Sequence, residues 1–439
     1  MANNPIRPLY TLPVIQNWDC HQCGNCCTDY VVPVSQAEKE RIEAQGWDQQ
    51  PEFAGKPLFQ RHSPWWKFWK KKYRLHTIND RCIFLDDHGL CKIHGKFGLE
   101  AKPFACRLYP FILVPAGKEW RVSMRYACPS ATANKGRGIA QQKNDIQSYA
   151  REMELWDEPE IRTATDSTAR AARDARSDRL PRLQGRTTIS WEDLNIILQA
   201  FLKIIRDDRD AFPRRMLRLL ELTRLCQQAK FTKITGKRLK EFLEVVSSGL
   251  SAEIPRDPGK YPAPNWVGRT LFRTTLAVFL RKDSGLRRGV AARSRWALVA
   301  AMMRMVSGRG ELPRLQKGLP EMKLEDFEAP LGTLEADSLE ALERYYSIKL
   351  ESCQFFGPTC YELRVWEGIT FLALTLPCIL WLARGYLDLG QPAAIHKAIT
   401  VIDENYGYNP LLGHFRQQFA TRILFGQKEL DRLIAWYGR

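Results

Sequence analysis

The chain lacks the common catalytic signatures. It has no P-loop to cradle nucleotide phosphates, no His-Glu-x-x-His pair for a catalytic zinc and no Gly-x-Ser-x-Gly elbow for a serine nucleophile. Nor does a Gly-x-Gly-x-x-Gly turn follow a strand, so the sequence shows no such cradle for an adenosyl cofactor. Apolar runs are short. The longest, Ile369–Ala383, falls below the ~20 residues of a membrane span and contains Pro377, so it reads as a buried core helix. Met1–Tyr10 shows no basic segment followed by an apolar one, so export is not expected. That points to a cytoplasmic, reducing setting in which structural disulfides are not expected.

Cysteine is scarce over most of the length. Of the twelve, four lie beyond residue 128, whereas Cys20, Cys23, Cys26, Cys27, Cys82, Cys91, Cys106 and Cys128 crowd the first part. Without disulfides, such crowding reads as metal ligation or thiol chemistry. A two-residue gap lets two thiolates grip one ion, and Cys20-x₂-Cys23-x₂-Cys26 offers two such grips, with Gly24 supplying a flexible turn. Adjacent Cys26 and Cys27 are expected to point in different directions, which favours two ions or a cluster over one mononuclear site. All eight are candidate metal ligands. They suit two four-thiolate zinc sites, or one iron–sulfur cluster with spare thiols. His21, His88 and His94 are alternative ligands nearby. Cys226 and Cys378 fall in apolar helical patterns and read as core, whereas Cys353 and Cys360 flank Gly357-Pro358.

Three stretches carry a family resemblance. Cys-x₂-Cys-Gly-x-Cys-Cys (Cys20–Cys27), Cys-x-Phe-Leu…Gly-x-Cys-x-Ile (Cys82–Ile93) and Lys-Pro-x₂-Cys-Arg-x-Tyr-Pro-Phe (Lys102–Phe111) resemble the YkgJ-type cysteine-cluster family. Cys128-Pro129, with Gly136 and Gly138, is similar to its closing element. The resemblance implies a zinc- or iron-chelating domain and a relation to flagellin lysine N-methylase. It departs at His94, Lys102 and Tyr109, where the family carries an aromatic, an arginine and a phenylalanine. The radical-type Cys-x₃-Cys-x₂-Cys spacing is missing, because the first gap here is two residues.

The fold expected is mainly α: a small cysteine-rich α+β metal-binding domain followed by a multi-helical region. Three domains are expected, at 1–138 (cysteine cluster), 139–310 (helical, with a basic linker) and 311–439 (C-terminal helical). Ser35 and Glu38 form a capping-box pattern, and residues 47–76 read as an insertion. Phe111–Val114 and Trp120–Tyr126 read as a hairpin around Pro115–Gly117. Ser190 opens a helix with Leu194, Leu198, Phe201 and Ile205 on one face, and similar patterns fill 213–229, 237–248, 266–281 and 293–306. Arg162–Arg186 is arginine-rich and poor in large apolar residues.

The net charge of +17, spread along the chain, reads as a well-solvated basic surface, or as one that draws acidic partners, nucleic acid or anionic membrane surfaces. The run Pro64–Arg74 interleaves Trp65, Trp66, Phe68 and Trp69 with lysines, as base stacking or a membrane interface would require, or as aromatics folded over the metal domain. Three functions follow. One is a metal-dependent protein-modifying enzyme, implied by the resemblance to be a lysine N-methylase using S-adenosylmethionine, with a protein as substrate. Another is a non-catalytic zinc-stabilised module that binds a protein partner. The third, nucleic-acid binding, rests on charge and the 64–74 run alone.

Overall fold

Ser35 starts the first long helix as its sequence pattern requires. Its hydroxyl accepts from the Glu38 amide at 3.2 Å, and the Glu38 carboxylate returns the bond to the Ser35 N–H at 2.7 Å. The computed structural model describes residues 7–61, 72–154 and 179–439, apart from 230, 232, 284 and 293. Residues 64–71 of the aromatic–basic run, and 162–178 of the arginine-rich stretch, lie outside the described residues.

The N-terminal part alternates short elements: β1 (Leu9–Thr11), α1 (Asn25–Asp29), β2 (Pro33–Val34), α2 (Gln36–Glu43), β3 (Phe59–Arg61), β4 (Tyr73–Leu75), β5 (Thr77–Ile78) and β6 (Arg81–Cys82). Then come α3 (Lys92–Phe97), α4 (Phe104–Leu108), β7 (Phe111–Ala116), β8 (Glu119–Met124), α5 (Pro129–Thr132) and α6 (Lys143–Glu154). The expected hairpin is β7–β8, antiparallel from Phe111↔Met124 to Ala116↔Glu119, and β1 adds in parallel to β8. A second small sheet has the order β2-β4-β3.

After a β9 (Arg182–Gln184) and β10 (Thr187–Thr188) ribbon, helices take over. They are α7 (Trp191–Ile205), α8 (Phe212–Gln228), α9 (Gly236–Glu253), α10 (Trp266–Phe279), α11 (Arg295–Ser307), α12 (Ala336–Glu351), α13 (Val365–Ala383), α14 (Gln391–Asn405), α15 (Phe415–Gly426) and α16 (Glu429–Tyr437). Among the described residues the protein is thus mainly α, with eight of its ten strands in the cysteine-rich part. The side chain of Ser190 caps α7 through the Asp193 amide at 3.0 Å.

Two hydrophobic cores form. The smaller joins Val34, Ile42, Trp47, Phe53, Leu75, Phe84 and Ile93 beneath α2 and the small sheet. The larger begins at Phe104 and runs through the hairpin into every helix from α7 to α16. At its centre, α13 buries every side chain except Glu367. This helix is long and apolar enough to cross a membrane, but 94% of its apolar window is enclosed by its neighbours, as a core helix requires.

The hairpin and the helices are joined by a buried ion pair. The Lys349 ammonium on α12 donates to Asp403 on α14 at 2.7 Å, to the Met124 carbonyl at 3.1 Å and to Gln354 at 2.9 Å. Asp403 also accepts the N–H groups of Tyr126 and Ala127, at 2.6 and 3.1 Å, just ahead of Cys128. The rings of Tyr126, Tyr345 and Tyr406 surround the ammonium at 5.3–5.6 Å.

Candidate metal centre

The cysteine loop is gripped from both sides. Ahead of Cys20, the Trp18 and Asp19 amides donate to the Arg137 and Lys135 carbonyls at 2.9 and 3.1 Å, and Asp19 pairs with Arg137 at 2.9 Å. The approach depends on Gly136: with φ +114°, a Cβ there would lie 2.3 Å from the Asp19 nitrogen. On the other side, the turn between Cys82 and Cys91 leans on the loop at Gly89, where a Cβ would lie 2.4 Å from the Gln22 carbonyl oxygen. The loop is thereby held between the Cys82–Cys91 turn and the segment after Cys128.

Gly24, at φ +68°, then turns the chain into α1, with Cys26 and Cys27 in its first turn. Here the structure corrects the expectation that the two adjacent thiols diverge. Their Sγ atoms are 3.9 Å apart. Neighbours on a helix are separated by about 100° around the axis rather than the about 180° of a strand, so both can reach the same side. Two thiolates on one tetrahedral zinc, each about 2.3 Å from it, stand about 3.8 Å apart. The spacing fits.

Cys26, Cys27, Cys82, Cys91 and Cys106 line one cavity of about 460 Å³. Cys82 ends β6, Cys91 caps the start of α3, and Cys106 lies in α4. The first turn of α4 is tied to α2 through the Phe104 N–H, which donates to the capping carboxylate of Glu38 at 2.6 Å. The remaining wall is mostly apolar, from Val32, Val34, Leu75, Phe84, Phe104 and Phe111, with Lys102, Arg41 and Glu152 among the polar groups. Tyr408, from beyond α14, completes it, and the Arg125 guanidinium sits between the rings of Tyr408 (3.7 Å) and Tyr30 (4.5 Å).

The electrostatics are those of crowded thiols. The Cys27 thiol and then burial push Cys26 far above the ordinary thiol range. Burial pushes Cys82 up to about 12 and Cys106 well above its usual value. At Lys102 burial acts against the charge, yet the negative potential of Cys106, Cys91, Cys27 and Cys26 outweighs it and raises the ammonium's pKa. Thiolates here would therefore need a cation to hold them, and Lys102 supplies one positive charge. Among the described residues, no three Cys, His, Asp or Glu side chains converge on one point. They surround a space instead.

The other expected ligands lie elsewhere. Cys20 and Cys23 are exposed and stand outside the cavity lining, and Cys128 is buried at the start of α5. Burial raises the Cys128 thiol's pKa, against hydrogen bonds from the Ala131 and Ser130 backbone and from Trp18. His21, His88 and His94 are exposed. Arg107, beside Cys106, is held by Glu152 at 2.6 Å and Glu100 at 3.2 Å. Cys226 and Cys378 are core residues, as are Cys353, whose sulfur faces Arg121 at 3.2 Å, and Cys360. Lys102 was legible only as a departure from the family pattern. Tyr408 and Arg125 had no sequence signal, because their place depends on how α14 packs on the hairpin.

No curated protein and no solved structure matches the chain significantly. Residues 19–129, which contain the cavity's five thiols, match the CxxCxxCC family model, described as "Putative zinc- or iron-chelating domain".

Proposed function

We propose that the protein holds zinc or iron through the thiolates of Cys26, Cys27, Cys82, Cys91 and Cys106, with Cys20, Cys23 and Cys128 as a second group of donors. The observation that carries this reading is the cavity itself: five thiols from four separate segments line it. A bound ion would supply Lewis acidity, or electron transfer if it is an iron–sulfur cluster. Lys102 would offset part of the thiolates' negative charge, and the apolar wall would keep bulk water from the sulfurs.

A cavity of about 460 Å³ has the size of a ligand site, whereas a purely structural zinc is closed by its four ligands. This favours a working centre, a metal-dependent protein-modifying enzyme of the lysine N-methylase kind that the resemblance implies, with S-adenosylmethionine as the donor to test. The second reading, a zinc-stapled interaction module, is favoured by the thinness of the smaller core, which metal ligation would reinforce.

The test is metal and acid-labile sulfide content of protein purified without oxygen, with its visible spectrum. Iron with sulfide and a brown colour supports the enzyme reading and justifies S-adenosylmethionine titration. Colourless, zinc-loaded protein supports the staple. Protein that binds neither metal tightly overturns both.

A further inference from the structure

Three helices outside the cysteine region make an unusual face. α10, α11 and α15 contain no aspartate or glutamate, in a chain with 49 of them, and carry Arg269, Arg273, Arg295, Arg304, Arg416 and Arg422. α10 packs against both of the others. Its Thr275 hydroxyl donates to Gln417 of α15 at 2.8 Å, and its Arg273 guanidinium lies against Gly308, the cap of α11.

Large apolar side chains on this layer face water. Trp296 is 82% exposed, Trp266 78%, Phe415 68% and Met303 66%. Trp296, Val299 and Met303 fall at i, i+3 and i+7, one face of α11, and Phe415 and Phe419 fall at i and i+4 on α15. Arg295, Arg304 and Arg416 are exposed beside them, whereas Arg422 pairs with Glu367 at 2.8 Å and Arg273 with Glu328 at 3.1 Å. An exposed group of large apolar side chains marks an interaction surface.

We propose that this face docks on an anionic lipid surface. Tryptophan, phenylalanine and methionine beside arginine, on helices with no acidic residue of their own, is the chemistry of helices lying in the interface plane. Nucleic acid fits less well, since its interfaces are more polar and more densely basic than this aliphatic and aromatic face. The inference stands apart from the metal centre.

The experiment is flotation of the full-length protein with phosphatidylcholine vesicles, with and without phosphatidylserine, at low and high salt. Association with the phosphatidylserine vesicles that weakens in salt is expected. The double variants Trp296→Ser/Met303→Ser and Phe415→Ser/Phe419→Ser should each lower the affinity more than about tenfold. Their melting temperatures and metal content should stay as in the parent. As a check that does not depend on those variants folding, Trp296→Phe should bind normally but lose part of the tryptophan quenching by brominated lipid. No association with anionic vesicles, equal binding to neutral ones, undiminished binding by both variants or unchanged quenching overturns the proposal, as does a preference for DNA or an acidic peptide over lipid.

Discussion

The Sγ atoms of Cys26 and Cys27 lie 3.9 Å apart because α1 begins at Asn25, one residue before them. Had the segment stayed extended, one thiol would have faced away. This spacing makes Cys27 a partner of Cys26 rather than a spare. Replacing Cys27 or Cys106 by serine should therefore weaken metal binding at least about tenfold, since even supporting residues around a metal cost that much when removed. Chelator competition measures it. Cys226→Ala and Cys378→Ala should keep the metal, because both thiols lie in the large core. Loss of metal in these two, or its retention in the first two, would sink the assignment.

Elements hold the loop in place by close backbone contact. Gly89→Ala and Gly136→Ala each drive a Cβ within 2.4 Å of backbone atoms of the cysteine loop. Each should cost several kcal/mol and release metal, whereas Gly185→Ala, also at positive φ but with open space around it, should cost only about 1–2 kcal/mol and keep the metal. Denaturant midpoints with metal analysis separate the two cases. A pH-sensitive joint lies farther along, where α7 turns into α8. The Arg209 side chain, and then Arg218 at 2.7 Å, hold the Asp207 carboxyl well below the usual carboxylate range. The folded pKa is the lower one, so the stabilisation is complete above the unfolded value of about 4 and is lost as pH falls through the folded one. Asp207→Asn should melt at a lower temperature than the parent at pH 7, and the gap should narrow on acidification below pH ~4. A gap that stays constant with pH would show that the carboxylate's charge is not what matters.

At the scale of the whole molecule, the Lys349–Asp403 pair fixes the cysteine-rich part to the helices. Lys349 is completely buried, and Asp403 holds the backbone just before Cys128. Lys349→Met leaves the carboxylate buried without its cation, which costs about 3–5 kcal/mol. Urea unfolding should show a loss of that size, and a change below about 1 kcal/mol would show that the amide donors and the Tyr345 hydroxyl satisfy Asp403 without the ammonium.

Much of this was legible in the chain. The capping box at Ser35, the cap at Ser190, the β7–β8 hairpin and the buried α13 follow from local pattern, because hydrogen-bonding side chains and apolar periodicity act within a few residues. The thiols were legible as candidate donors for the same reason: cysteine spacing is a property of neighbours in sequence. Only the tertiary structure decided which thiols share a cavity. Cys26, Cys27, Cys82, Cys91 and Cys106 meet there, while Cys20, Cys23 and Cys128 stand outside its lining. It also brought in Arg125 and Tyr408, and it enclosed an apolar helix that composition alone would let cross a membrane. The sequence by itself determined the candidate donors and the apolar faces of the helices. Which of them meet depends on backbone approaches at Gly89 and Gly136 and on the burial of Asp403, and these are set by contacts between residues far apart in the chain.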